Sequence, residues 1–179
     1  MSVVLITGSC GLVGSESVEF FASQGFDVVG IDNNLRSKFF GKDGDINWVK
    51  RNLIKSHKNY MHKNIDIRNY SALEKIFQKY KSSIKLIIHS AAQPSHDWAK
   101  RKPFVDFNIN ALGTLNLLNL TKRYAYNAPF IFMSTNKVYG DNPNKLPLRE
   151  LNSRWEISKK HKYYKGINTN NNSKLIKNK

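Results

Sequence analysis

Val3-Val4-Leu5-Ile6-Thr7 runs directly into Gly8-Ser9-Cys10-Gly11-Leu12-Val13-Gly14, and a second apolar run closes at Asp32. A short β-branched run without alternation suits a parallel strand covered on both faces. The glycines then end it. Gly8 permits a tight turn, Gly11 brings the main chain close to a ligand with no Cβ between them, and Gly14 lets the next helix lie against the sheet. A helix is expected from Leu12 to about Gln24, with Val13, Val18, Phe21 and Ala22 inward and Gly25 as its C-terminal cap. Its first N–H groups suit an anion. Phe26 to Ile31 reads as the second strand. Asp32 follows Gly14 by 18 positions, near the offset at which a carboxylate accepts hydrogen bonds from an adenosine ribose. Strand, glycine turn, helix, strand and acid in this order point to a dinucleotide site. The carboxylate favours NAD over NADP, because a 2′-phosphate would meet like charge.

The 179 residues, 40% hydrophobic and 12% aromatic, suffice for one domain with a real core. No run approaches the roughly 18 consecutive apolar residues of a membrane span, and the first strand starts too early for a signal segment. A cytoplasmic protein is expected. The single cysteine, Cys10, excludes an internal disulfide and a multi-cysteine metal site, so no metal is expected. It reads as a small residue that fits the loop, although a thiol near a helix N-terminus can be activated. The net charge of +16 draws polyanions in general. The lysines are spread along the chain and densest from Lys159 to Lys179, without an aromatic RNA-binding motif or paired zinc ligands, which disfavours nucleic acid.

Beyond Asp32, Asn33 and Arg36 fall on the loop over the adenosine side. Phe39 and Phe40 form an aromatic pair that either packs or serves as a flap, packing being preferred. Asp45 is placed to cap a helix carrying Ile46, Trp48, Val49, Leu53 and Ile54. Tyr60 to Ile65 gives a third strand. At its end Asp66 and Ile67 either meet an adenine or support the turn into a helix bearing Leu73, Ile76 and Phe77. Lys85 to His89 is a fourth strand, and the small Ser90-Ala91-Ala92-Gln93 after it lets a cofactor lie against backbone. His96 and Asp97 lie in a polar substrate-side loop. A long helix from Phe104 to Ala125 follows, and Asn110 within it needs a hydrogen-bond partner, such as a strand carbonyl near the nicotinamide. Pro129 to Met133 is the fifth strand.

These residues resemble the extended short-chain dehydrogenase/reductase family, the NAD-dependent nucleotide-sugar epimerases and dehydratases. The carriers are Thr7 to Gly14, Asp32, Asp66-Ile67-Arg68, His89-Ser90-Ala91-Ala92, Asn110-Ala111-Leu112-Gly113-Thr114 and Ser134-Thr135-Asn136-Lys137-Val138-Tyr139-Gly140. The last stretch looks most like the CDP-paratose (tyvelose) 2-epimerases. Dehydratases usually carry an acid pair where this chain has Asn136 and Lys137. The resemblance implies a Rossmann-type doubly wound parallel sheet, NAD as cofactor, and a nucleotide-diphosphate sugar, guessed as a CDP-sugar, as substrate. It implies cofactor contacts from Gly8, Cys10, Gly11, Leu12, Val13, Gly14, Asp32, Asn33, Arg36, Asp66, Ile67, Ala91, Ala92, Gln93 and Asn110. Thr135 would hold the reacting oxygen. It also implies homodimers among the relatives. The family's base is a tyrosine in Tyr-x-x-x-Lys, and none of the eight tyrosines has lysine at the fourth following position. The expectation is therefore an incomplete fold, with a five-stranded cofactor domain over 1–150 and a basic, poorly ordered Asn/Lys-rich tail over 151–179. Such a chain would bind NAD without being active alone, either as an N-terminal part of an epimerase or as a non-catalytic module or subunit of a split enzyme.

Overall fold

The computed structural model describes residues 2–134 and 142–166. It divides into two compact units, 1–133 and 134–179. In the first, β1 (Val3–Thr7), β2 (Asp27–Ile31), β3 (Tyr60–Lys63), β4 (Ile84–His89) and β5 (Phe130–Phe132) form one parallel sheet in the order β3-β2-β1-β4-β5. The chain thus winds outward from β1 to one side and then returns to the other. That reversal opens a crevice above the carboxyl ends of β1, β2 and β4. The incomplete Rossmann-type sheet agrees with the sequence reading.

All five residues of β1 are buried, as a strand covered on both faces must be. Period-two alternation divides them: Val3 and Leu5 join one apolar cluster, Val4 and Ile6 the other. The first cluster takes Leu73, Ile76, Phe77 and Tyr80 of α4 (Tyr70–Tyr80) and Leu117 and Leu120 of α7 (Gly113–Tyr124). The second takes Val18 and Ala22 of α1 (Leu12–Ser23) and Leu53 of α3 (Asn47–Ser56). Each fully buried Leu, Ile or Phe contributes about 1.5–3 kcal/mol.

Three expectations about burial need correction. Val13 is 47% exposed, because the first turn of α1 rises past the strand ends into the crevice rather than onto the sheet. Trp48 and Ile54 of α3 face outward, since only its Leu53–Val49 side reaches the second cluster. The long helix expected from Phe104 is α6 (Pro103–Phe107), a π-helical turn (Asn108–Leu112) and α7. Ile109, Leu117 and Leu120 are buried, whereas Phe104, Phe107, Leu115 and Leu118 lie open on its outer side. None of the described helices is long and apolar enough to cross a membrane.

In the second unit β6 (Leu148–Glu150) and β7 (Trp155–Ile157) form an antiparallel hairpin, with Arg149 opposite Glu156 in register and paired to it. The hairpin straddles position 150. Thr135 and its neighbours through Asp141 lie outside the described residues, as do 167–179.

Candidate functional site

The glycine loop is built as tightly as its spacing implies. Gly8 has φ +67°, and a Cβ there would stand 2.7 Å from the Ala91 nitrogen. A Cβ on Gly14 would stand 2.0 Å from the Gly8 carbonyl oxygen, so only glycine lets α1 start against the loop. Gly11 differs. With φ −75° and ψ 173° it is ordinary extended backbone, and an added Cβ would meet only the Gly8 oxygen, at 3.3 Å. The protein does not itself require the missing side chain of Gly11. Its open side faces the crevice together with the first turn of α1, where no side chain caps the helix, no acid lies in the first turn, and Leu12 is 86% exposed. A diphosphate fits this arrangement of uncovered N–H groups at the positive end of a helix dipole.

Asp32, at the carboxyl end of β2, ties the loop to the sheet. One carboxylate oxygen accepts from the Cys10 N–H at 3.0 Å and the other from the Asn34 N–H at 2.8 Å. Each retains a lone pair for a ligand hydroxyl. Below it, Ser9 Oγ lies 3.1 Å from the Tyr60 hydroxyl, which in turn lies 3.3 Å from His62 Nδ1. Gly30 makes room for this contact, because a Cβ there would stand 2.5 Å from the Tyr60 hydroxyl. Burial pushes the Cys10 thiol up, and Asp32 adds to the effect. Cys10 is 3% exposed, and both its burial and the raised thiol disfavour the thiolate that a reactive cysteine needs. Burial likewise raises Tyr60 and lowers His62.

Asn33 and Asp66 join the ends of β2 and β3. The Asn33 amide donates to Asp66 at 3.0 Å, and Arg68 donates to both oxygens of that carboxylate. Burial alone would raise the Asp66 carboxyl, but the Arg68 hydrogen bonds and charge, with Asn33, hold it below the usual carboxylate range. Ile67 is buried under Gly113, and its carbonyl accepts from the Asn116 amide. Arg36 stacks over the Phe40 ring at 4.8 Å. Phe39, in α2 (Arg36–Phe40), packs edge-on against Trp98 of α5 (His96–Arg101), and the Trp98 indole N–H donates to the Phe39 carbonyl. Packing is thus the outcome for Phe39, and it joins the segment leaving β2 to the one leaving β4.

At the end of β4, His89 is 2% exposed and lies between Thr7 and Thr114. The Thr114 hydroxyl donates to the Asn110 carbonyl, so it accepts from His89 Nε2–H. That leaves Nδ1 to accept from the Thr7 hydroxyl at 2.7 Å. Burial alone pushes the imidazole down to about 4. Neutral His89 therefore clamps β1, β4 and the π-helical turn. Ala91 packs against Gly8, Ala92 is exposed, and Gln93 is buried. Asn110 has its partner: its carbonyl oxygen accepts from the Gln93 N–H at 2.9 Å, and its amide donates to the Gln93 carbonyl and to Asp106.

A sheet crevice, a bare helix terminus at a glycine loop, and a carboxylate at the next strand's end recur in known proteins. The sequence profile of the NAD dependent epimerase/dehydratase family matches residues 4–165. The chain belongs to this family. It is 37% identical over 138 residues to the CDP-paratose 2-epimerase of Salmonella typhi, covering 77% of this chain and 38% of that protein. To the UDP-glucuronate 4-epimerase of Thermodesulfobacterium geofontis it is 34% identical over 144 residues, covering 80% and 42%. The Thermotoga maritima UDP-glucose 4-epimerase solved with UDP-glucose superimposes with a TM-score of 0.61 at 27% identity, over 78% of this chain and 40% of that one. The Thermus thermophilus UDP-glucose 4-epimerase in complex with NAD gives 0.54 at 29% identity, over 69% and 34%. The chain spans about two fifths of the length of the curated relatives named here.

The fold thus brings Gly8, Cys10, Gly11, Leu12, Val13, Gly14, Asp32, Asn33, Ala91, Ala92, Gln93 and Asn110 to the carboxyl ends of β1, β2 and β4. Asp66 and Ile67 stand at the end of β3, with their polar groups largely engaged by protein. His89 entered the sequence reading as the last residue of the fourth strand and within the family-like His89-Ser90-Ala91-Ala92 stretch, with no role of its own. The signal for its structural part was an imidazole closing an otherwise apolar strand. Lys50 and His62 were missed altogether. With Cys10, Asp32, Asn33, Asn34, Ile46, Asn47 and Asn64 they line a cleft of about 210 Å³ beside Asp32. Among the described residues no group of three or more His, Cys, Asp or Glu could hold a metal ion.

Proposed function

We propose that this chain supplies the cofactor half of an NAD-dependent nucleotide-sugar epimerase site. Bound NAD would supply a hydride acceptor that takes hydrogen from a sugar carbon and gives it back to the other face. The chain's own residues bind and orient. The N–H groups of Leu12, Val13 and Gly14 receive the diphosphate, Gly11 allows its approach, and Asp32 accepts from the adenosine ribose. Asn33, Arg36, Asp66 and Ile67 border the adenosine side, while Ala91, Ala92, Gln93 and Asn110 line the nicotinamide side. Cys10 contributes backbone only. Thr135 would hold the reacting oxygen. The observation that carries the reading is the Gly11 face of the loop, which is open beside an uncapped helix terminus while Gly8 and Gly14 are sterically compelled.

The substrate class is a nucleotide-diphosphate sugar. The 37% identity to a CDP-paratose 2-epimerase supports a CDP-sugar. A cytoplasmic setting and a homodimer accompany that reading. The sequence contains no Tyr-x-x-x-Lys. In this reading general acid–base catalysis, typically worth about 10²–10⁴-fold, is assigned to residues outside these 179. A second form of the same reading, equally compatible with the absent motif, is a cofactor-binding subunit completed by another polypeptide.

The deciding experiment is NAD titration by calorimetry on the 179-residue chain, with Gly11→Val as comparison. Because Gly11 has ordinary extended backbone, the variant should fold, and its side chain should block the diphosphate. Saturable binding lost in the variant supports the reading. Absence of binding by a cooperatively folded wild type overturns it. Epimerisation by the 179-residue chain without added protein would overturn the assignment of acid–base chemistry to outside residues.

A further inference from the structure

Two segments meet above the sheet, and each is held at its own base. The segment leaving β2 closes on itself between Asn34 and Ile46. The Asn34 side-chain amide donates to Asp45 at 2.6 Å, and its side-chain oxygen accepts the Ile46 N–H at 3.2 Å. Asn34 itself is left-handed, with φ +54°, which turns the chain sharply where the loop begins. Inside the loop Arg36 covers the Phe40 ring, and a Cβ on the buried Gly44 would stand 2.6 Å from the Arg36 carbonyl oxygen. A loop whose ends meet and whose own groups fill it moves as one body.

The segment leaving β4 is anchored separately. Ser95 caps α5 by accepting the Trp98 N–H, and the Gln93 side chain accepts the Ser95 N–H and donates to the Ser95 carbonyl. The Gln93 main chain is in turn bound to Asn110. α2 and α5 are joined by the Phe39–Trp98 ring pair, with centroids 4.9 Å apart, and by the Trp98 indole N–H on the Phe39 carbonyl at 3.2 Å. β1 lies between β2 and β4 in the sheet, so this link passes over the carboxyl end of β1, where the glycine loop begins. Phe39 rests on the first apolar cluster, as do Ala91 and Val105, whereas α1 belongs to the second. The link and the N-terminus of α1 therefore stand on opposite sides of the crevice. A dinucleotide reaching from Asp32 to Asn110 would lie between them.

We propose that the Phe39–Trp98 link is a latch on a lid formed by residues 34–46, and that NAD enters and leaves only when the ring pair parts. The proposal rests on the dinucleotide reading above and adds a rate to it. Neither contact uses a group assigned to the cofactor. Weakening the latch therefore raises the open fraction of the free and the loaded chain alike, so association and dissociation accelerate together and affinity is preserved.

Stopped-flow mixing of the 179-residue chain with a fluorescent etheno-adenine analogue of NAD, followed by displacement with excess NAD, tests it. Trp98→Ala should raise both rate constants by roughly tenfold to a hundredfold, the range that one aromatic pair and one hydrogen bond span, and leave their ratio within about threefold. Trp98→Phe keeps a ring against Phe39 and removes only the indole donor, so both rates should rise by roughly two- to tenfold. Phe39→Cys with Trp98→Cys, bridged by a short bis-maleimide, should exclude the analogue when bridged empty and trap it when bridged loaded; Cys10, 3% exposed, stays out of the bridge. Unchanged rates in Trp98→Ala, faster dissociation with unchanged association, or free exchange past the bridge each overturn the latch while NAD binding stands. Absence of binding by a cooperatively folded wild type overturns the dinucleotide reading itself, and the lid with it.

Discussion

Protonation of His89 should be the largest acid-sensitive element in the first unit. The imidazole contacts Thr7, Thr114, Phe130 and Phe132, none of which can neutralise a charge. Its value falls from 6.5 to about 4 through burial. The unfolded chain therefore takes up a proton near pH 6.5, whereas the folded chain resists until about pH 4. The sign follows: the contribution is complete above pH 6.5 and is lost as pH falls toward 4. At about 1.4 kcal/mol per pH unit, the depression is worth about 3 kcal/mol. That is a large share of the roughly 5–15 kcal/mol typical of a domain. His62 is depressed in the same direction, so the wild-type curve alone is not diagnostic. Urea unfolding of wild type and His89→Gln should be followed between pH 7 and pH 4. The variant removes the ring and keeps a donor and an acceptor between the two threonines. Its stability should fall about 3 kcal/mol less than that of wild type over this range. Parallel curves, within about 0.5 kcal/mol, would refute the buried neutral imidazole.

Other perturbations separate parts of the site. Gly14→Ala places a methyl 2.0 Å from the Gly8 oxygen, and should cost about 3 kcal/mol or more in thermal melts; a shift of under 2 °C would contradict the packing described. Asp32→Ala removes acceptors for the Cys10 and Asn34 N–H groups, and should weaken NAD at least tenfold in calorimetry while lowering stability by about 1–2 kcal/mol. Asp66 is held low by Arg68 after opposing burial, so its contribution is present above the ordinary value of 3.8 and is lost only as pH falls below it. Arg68→Ala should move the Asp66 carboxyl upward in an NMR titration, and an unmoved value would remove Arg68 as the cause. The open row Phe104, Phe107, Leu115 and Leu118 should drive self-association, and Phe107→Glu with Leu115→Glu should relieve it in sedimentation; a monodisperse wild-type monomer would count against this.

The sheet was legible because β1, β2 and β4 are short apolar runs ended by Gly8, Asp32 and Ser90, whereas β3 is half polar and stops at Lys63, short of the Tyr60 to Ile65 expected. The glycine loop was legible because turn chemistry is local. Its three glycines nevertheless proved unequal, since two are forced by neighbouring backbone and Gly11 is not. Asn110 could be recognised as an amide in need of a partner, but that the partner is Gln93, 17 positions away, depends on how the loop after β4 meets the π-helical turn. Val13 misled because helical periodicity places it among inward residues, while the first turn of α1 stands above the sheet rather than on it. Arg36 gave no sign that Phe40 would hold its guanidinium. Lys50 and His62 converge on Asp32 from α3 and β3, and nothing in either segment alone marks that meeting.

The centre of the sheet also sets an order on events during synthesis. β1 leaves the ribosome first, yet its Thr7 is locked to His89 only after 82 more residues have been added. At about 5–20 residues per second, one edge of β1 stays without its neighbour for roughly 4–16 seconds. β2 and β3 can pair meanwhile, so the nascent chain carries half a sheet with an open apolar edge. A binder of exposed strands, such as a chaperone at the tunnel exit, would find its target in that interval and lose it once β4 is inserted.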